Sequence, residues 1–259
     1  MRGVRGVLLD IDGVLTVSWR ALPGAVEALV RLRREGVPFR LITNTTTHTR
    51  RDLATTLRDA GFDVAPDEVV TAVVATGSYL RAHHAGAGVF VLSDGDASQD
   101  LDGVRIVSVD EADVVVLGGA GDAFTYATLN RAFRRLADGA TLVGMHRNLY
   151  WRTAEGWQLD GGAYVAGLEE ATGRRAAICG KPSAAFFEEA LRLLGVAARD
   201  AVMVGDDVVN DVLGAQAVGI TGVLVRTGKF LATDLERVEG EPDHVLDSIA
   251  DLPAWLTSR

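Results

Sequence analysis

Val7-Leu8-Leu9-Asp10-Ile11-Asp12-Gly13 reads as a short apolar strand that runs into two carboxylates and a glycine. Three other strand-like runs end in the same way. Phe39–Ile42 stops at Thr43-Asn44-Thr45, Ala176–Cys179 at Gly180-Lys181-Pro182, and Ala201–Val204 at Gly205-Asp206-Asp207, with Asp211 behind it. In open α/β sheets, ligands bind beyond the carboxyl ends of the strands. If the strands that end at Asp10, Thr43 and Gly205 are parallel neighbours, their polar ends meet in one cleft, and Gly180-Lys181-Pro182 is a fourth candidate for it.

The intervening sequence supports that arrangement. Pro23 opens a helical pattern carrying Val26, Leu29, Val30 and Leu32, and Gly36 closes it. Proline at a helix start and glycine just past its end is the expected asymmetry. Further helical patterns cover Arg50–Ala60, Ala184–Leu194 behind a Ser183 cap, and Val208–Val218; a strand follows at Gly222–Val225. This alternation predicts an α/β fold with a Rossmann-like parallel sheet.

The middle of the chain repeats the theme. Val89–Leu92, Val114–Leu117 and Thr141–Gly144 read as strands, and a helix capped by Asp122 is expected to run to Ala137. His146 to Gly162 holds Tyr150, Trp151 and Trp157 among polar residues and glycines, and reads as a long loop or hairpin before a helix over Ala163–Thr172. We expect a core domain from residues 1–75 and 178–259, with residues 76–177 as an inserted α/β cap domain that forms a lid.

Composition narrows the function. The formal net charge is -9 over 259 residues, so nucleic acid and anionic membrane surfaces are not expected partners. Cys179 is the only cysteine, which rules out an intrachain disulfide and reads as a buried strand residue. The first apolar run, Val7–Leu9, is too short for a secretion signal, and a cytoplasmic protein is expected.

Several carboxylates at close range raise each other's pKa unless a cation joins them. Mg2+ prefers oxygen ligands and keeps substrate phosphate in its shell. It would hold Asp10, Asp206 and a phosphoryl oxygen together, with Lys181 adding positive charge and Thr43 a hydroxyl donor. Such a set suits phosphoryl transfer, where catalysis is mostly positioning and electrostatics. Asp10 is then the carboxylate nucleophile. Asp12, two residues along an extended chain, is placed to protonate the leaving oxygen and later to activate water. Taken singly, Asp-x-Asp-Gly, Thr-Asn and Gly-Asp-Asp are more often turns; together, each at a strand end, they are specific. Lys181 is one of only two lysines among 26 basic residues, which suits a site that requires a compact ammonium.

Leu9-Asp10-Ile11-Asp12-Gly13-Val14-Leu15, Thr43, Lys181, and Gly205-Asp206-Asp207 with Asp211 resemble the four motifs of the haloacid dehalogenase (HAD) superfamily, here its NagD-like subfamily IIA. Ile42–Thr46, Thr227-Gly228-Lys229 and the segment around His146, Tyr150 and Gly161-Gly162 extend the likeness over nearly the whole chain, although His146–Trp151 departs from its relatives. The resemblance implies the HAD fold with a C2-type cap. It makes Asp10, Asp12, Thr43 and Lys181 catalytic. Mg2+ would be bound by the side chains of Asp10 and Asp206 and the backbone carbonyl of Asp12, with Asp207 and Asp211 as supporting carboxylates. Thr43, Asn44, Thr45 and Lys181 would bind substrate. Apart from the resemblance, the His146–Trp151 loop is a candidate for reading the leaving group, with Arg147 as a donor; the alternative is that it only packs within the cap or at a dimer contact. The expected function is Mg2+-dependent hydrolysis of a small phosphorylated metabolite through an aspartyl-phosphate. Self-association through the cap is left open. A non-catalytic phospholigand-binding regulator on the same fold is the competing class.

Overall fold

The computed structural model describes residues 3–153 and 156–258. Contacts divide the chain into two units. The first holds residues 1–43, 50–70 and 181–259; the second holds 44–49 and 71–180.

The first unit is built on a six-stranded sheet in the order His244–Leu246, Thr221–Val225, Ala201–Gly205, Gly6–Asp10, Phe39–Thr43, Val69–Thr71. Gly6–Asp10 pairs in parallel with Ala201–Gly205 on one side and Phe39–Thr43 on the other. All five of its residues are buried, as a central strand covered on both faces requires. Helix Ala25–Arg34 buries Ala25, Ala28, Leu29 and Leu32, and leaves its charged face to solvent. Helix Ala184–Leu194 buries Phe186, Phe187, Ala190, Leu191 and Leu194. Ser183 occupies its N-cap position without making a capping bond.

The chain after Ala201–Gly205 departs from the expected regular helix. Val208–Leu213 forms a π-helical turn, and only Gly214–Gln216 continues as α-helix. Asp207 starts this turn, accepting from the backbone N–H groups of Val209 and Asn210. Between Thr16–Val17 and Arg20–Ala21 a two-residue hairpin turn places Ser18 and Trp19 at positive φ, as the tight turns of hairpins demand.

The second unit carries its own parallel sheet, ordered Ala177–Ile178, Thr141–Gly144, Val114–Leu117, Gly88–Leu92, Arg105–Ile106. Helix Tyr126–Ala137 packs on it, with Leu136 buried and Leu129 and Phe133 partly so. Its cap is Thr125, whose hydroxyl accepts from Thr128 N–H, and not Asp122. Asp122 lies a full turn too early, since the chain does not become helical until Tyr126. The segment read as a loop or hairpin is an antiparallel pair, Tyr150–Thr153 with Gly156–Leu159; residues 154 and 155 within it lie outside the described residues. Asp160 caps the following helix, Gly161–Thr172. Cys179 is fully buried, and burial pushes its thiol up to about 12, which leaves it an inert core residue. None of the described helices is long and apolar enough to cross a membrane.

Candidate active site

Leu9 faces Val204 across the parallel ladder, so Asp10 and the chain leading to Asp206 leave the sheet side by side. Asp10 ends its strand and is buried. Lys181, buried just ahead of helix Ala184–Leu194, donates from Nζ to Asp10 Oδ1 at 2.7 Å and to Asp211 Oδ1 at 2.6 Å. Asp211 comes from the π-helical turn, and its second oxygen accepts from the Asp207 N–H at 3.3 Å. Gly205 makes this close approach feasible, because a Cβ there would overlap the Asp211 side chain.

Two buried carboxylates, Asp10 and Asp211, therefore share one buried ammonium, and a third, Asp206, lies close by. Burial raises the Asp10 pKa, and Lys181 opposes that rise. Burial pushes Asp206 up to about 6. Asp211 also rises to about 6, first through burial and then through the charge on Asp10. Burial works against the Lys181 ammonium, but Asp10 and Asp211 outweigh it and hold the amine above its ordinary value.

The cluster is suited to a cation. Asp10, Asp206 and Asp211 each offer a carboxylate oxygen, all within 4.8 Å of one another. Asp206 Oδ1 is buried without a hydrogen-bond partner. Such an orphaned acceptor is costly unless something else satisfies it. All three donors are hard oxygens, the ligands of Mg2+ and similar ions. These residues fit a divalent metal.

The remaining candidates fall into two groups. Thr43 ends the strand beside Asp10 and is buried. Asp12 does not lie on an extended continuation of its strand. The strand stops at Asp10, and Ile11 to Thr16 folds into a turn closed by hydrogen bonds from Leu15 and Thr16 N–H to Ile11 O. Asp12 is exposed in this turn. Asp207 is occupied by the turn it caps and also accepts from the Asn210 side chain at 2.8 Å. These residues belong to the first unit, whereas Asn44, Thr45 and Arg147 belong to the second. There, Arg147 is ion-paired to buried Glu169 at 2.6 Å, and Glu169 also accepts from Ala176 N–H. His146 is buried, with Asn148 N–H donating to its Nδ1, and burial lowers its pKa. Tyr150 and Trp157 meet edge-on across the hairpin at 5.4 Å, and both are exposed.

One part of the site carried no chemical role in the sequence reading. Thr227-Gly228-Lys229 follows the Thr221–Val225 strand, and Lys229 N–H donates to Asp206 Oδ2 at 2.6 Å. The rule that singles out polar residues after an apolar strand applies to this segment as well.

Family models match two stretches of the chain. Residues 7–106 match a haloacid dehalogenase-like hydrolase model, and residues 178–252 match a HAD-hydrolase-like model. The chain is 41% identical to haloacid dehalogenase-like hydrolase domain-containing protein 2 from Homo sapiens, over 93% of this chain and 91% of that protein. It is 37% identical to phospholysine phosphohistidine inorganic pyrophosphate phosphatase from Rattus norvegicus, over 97% and 93%. Among solved structures, NagD from E. coli K-12 superposes with a TM-score of 0.88 at 29% identity, covering 96% of this chain and 98% of that one.

Proposed function

The chain belongs to the haloacid dehalogenase-like hydrolases, in their NagD-like branch, and is a phosphatase; from that premise we propose that it hydrolyses a small phosphorylated metabolite, with Mg2+, through an aspartyl-phosphate on Asp10. The observation that carries this reading is the buried group of Asp10, Lys181, Asp206 and Asp211, with Asp206 Oδ1 left without a hydrogen bond.

In this reading Asp10 and Asp206 hold Mg2+ by their side chains and Asp12 by its backbone carbonyl, with Asp207 and Asp211 in support. An ion held there would supply positive charge to balance that of the transferring phosphoryl group. Asp10 attacks phosphorus with one carboxylate oxygen. The bond from phosphorus to the leaving oxygen breaks as the new bond to Asp10 forms, and the Asp12 carboxyl gives its proton to the leaving alcohol. Asp12, now ionised, takes a proton from water, which attacks phosphorus and releases phosphate and free Asp10. Lys181 orients Asp10 and offsets the charge of Asp211. Thr43 donates to a phosphoryl oxygen, and Asn44 and Thr45 belong to the same binding segment. Residues 76–177 act as a cap that selects among substrates, with Arg147 contributing to that choice.

The test is hydrolysis of p-nitrophenyl phosphate and of a broad panel of phosphorylated metabolites. Turnover should vanish in EDTA, return with Mg2+, and be absent in Asp10→Asn. Full activity in a verified metal-free preparation would refute the Mg2+ reading, and near wild-type turnover by Asp10→Asn would refute the covalent route.

A further inference from the structure

Asp206 is held by more than its own strand. Its Oδ2 accepts from Lys229 N–H at 2.6 Å, while its Oδ1 is buried without a partner. The loop that supplies this N–H is itself fastened to the turn after Asp12, since Thr227 Oγ1 donates to Gly13 O at 2.6 Å. Two glycines with positive φ, Gly13 and Gly228, line the carboxylate. A Cβ on either would overlap Asp206 Oδ2, and one on Gly228 would also overlap the Cα of Gly13.

We propose that Thr227-Gly228-Lys229 is a positioning loop for Asp206. By occupying Oδ2, it fixes the carboxylate rotamer and presents Oδ1 to the divalent cation. The inference rests on the reading of Asp206 as a cation ligand. The argument is one of geometry. A carboxylate free to rotate exchanges its two oxygens and binds a metal in several ways. Here one oxygen is claimed by a backbone donor, and side-chain bulk is excluded from both flanks. Three consecutive residues each contribute a separate part: a hydroxyl that ties the loop to Gly13, a missing Cβ that admits the carboxylate, and an N–H that holds it. The same loop therefore joins the segment after Asp10 and Asp12 to the segment carrying Asp206.

The test measures Mg2+ binding directly, by isothermal titration calorimetry on the full chain, beside thermal unfolding with and without Mg2+. Thr227→Val removes the bond to Gly13 at nearly constant volume, and Thr227→Ser restores it. We expect Thr227→Val to weaken Mg2+ binding by about tenfold, the scale of one lost hydrogen bond, and Thr227→Ser to recover most of it. Gly228→Ala should weaken it further, because its Cβ displaces the carboxylate. In both variants the rise in Tm produced by Mg2+ should shrink, while the rate at saturating Mg2+ falls less than the affinity. If Gly228→Ala does not fold, the Thr227 pair decides. A folded Thr227→Val that binds Mg2+ as tightly as the wild type would overturn the positioning role. Wild-type protein that neither binds Mg2+ nor needs it for turnover would overturn the reading beneath it.

Discussion

The Asp10 cluster and the His146–Asp160 segment are both rich in polar groups, yet they are built in opposite ways. In the cluster, every charged side chain is buried and answered by groups from distant parts of the chain: Lys181 reaches Asp10 across 171 residues and Asp211 across 30. In the second unit, Arg147 is answered by Glu169 within the same unit, and Leu149, Tyr150, Trp151, Trp157 and Leu159 are exposed. Buried charge is expensive, so its arrangement is constrained by the chemistry it serves. An exposed aromatic hairpin is under no such constraint. The first region thus speaks to reaction class, and the second is where relatives with the same chemistry are free to differ.

Substitutions can break or sharpen this contrast. The largest effect should come from Asp10→Asn, which replaces the proposed nucleophile by an amide. Steady-state turnover should disappear while the circular dichroism spectrum is retained. Asp12→Ala should slow turnover of alkyl phosphates by about 10²–10⁴-fold, the usual worth of a general acid and base. The loss of leaving-group protonation should matter less for p-nitrophenyl phosphate, which a comparison of single-turnover rates would reveal. Equal losses on both substrates would argue against Asp12 as the acid.

Lys181→Met leaves Asp10 and Asp211 facing each other in a buried site without their shared cation. Metal-free protein should lose about 3–5 kcal/mol, the range for breaking a buried pair from one side. Urea unfolding in EDTA would measure it. Restoration of much of that loss by Mg2+ would show that the ion can take over the lysine's charge.

A smaller effect is expected from pH. The folded pKa values of Asp206 and Asp211 are raised to about 6. Raised carboxylates add stability below their unfolded pKa of about 3.9 and lose it as pH climbs through about 6, because the folded state holds the extra protons. Cation binding must displace those protons. The gain in Tm from a fixed Mg2+ concentration should therefore be smaller at pH 5 than at pH 7.5, and a gain independent of pH would contradict the assignment of Asp206 as a ligand. The smallest change is expected from Arg147→Ala, which should alter the ranking of substrates in a metabolite panel and leave Mg2+ affinity intact. A fall in Mg2+ affinity comparable to that of Thr227→Val would erase the distinction between the two regions.

The contrast also explains what was legible in the sequence. Short apolar runs ending in acid, threonine or lysine revealed the strands and the residues that end them, because burial of a parallel strand demands uninterrupted apolar side chains. Asp10 and Asp206 are recognisable for the same reason: charge placed after such a run has little structural purpose. Lys181 also follows an apolar run, but its strand, Ala177–Ile178, pairs in the second unit's sheet, and Asp211, inside the turn after Asp207, is legible only by family likeness. Local geometry was less visible. The turn that takes Asp12 off the strand depends on hydrogen bonds to Ile11 O, and the π-helical turn at Val208–Leu213 depends on Asp207 and on the approach of Asp211 to Gly205. Neither leaves a periodic trace. Thr125 displaced Asp122 as a cap because several residues offered plausible oxygens and only the path of the backbone chose between them. In the sequence Thr227-Gly228-Lys229 carries only a family likeness, since nothing in these three residues states that a backbone N–H will meet a carboxylate 23 residues away.

The order of strands carries a consequence for how the protein comes into being. Gly6–Asp10 lies at the centre of its sheet, between a strand at residues 39–43 and one at 201–205. During synthesis at about 5–20 residues per second, roughly 10–40 seconds separate the appearance of Asp10 from that of Asp206. Throughout that interval the earliest strand has a neighbour on one side only, and its other edge stays open to unwanted pairing. The sheet of the second unit, contained within residues 88–178, is completed in the meantime from one continuous stretch. A ribosome halted before residue 201 would thus carry a finished second sheet and an Asp10 strand that still lacks one neighbour, and a site that needs both Asp10 and Asp206 can assemble only when the last third of the chain has arrived.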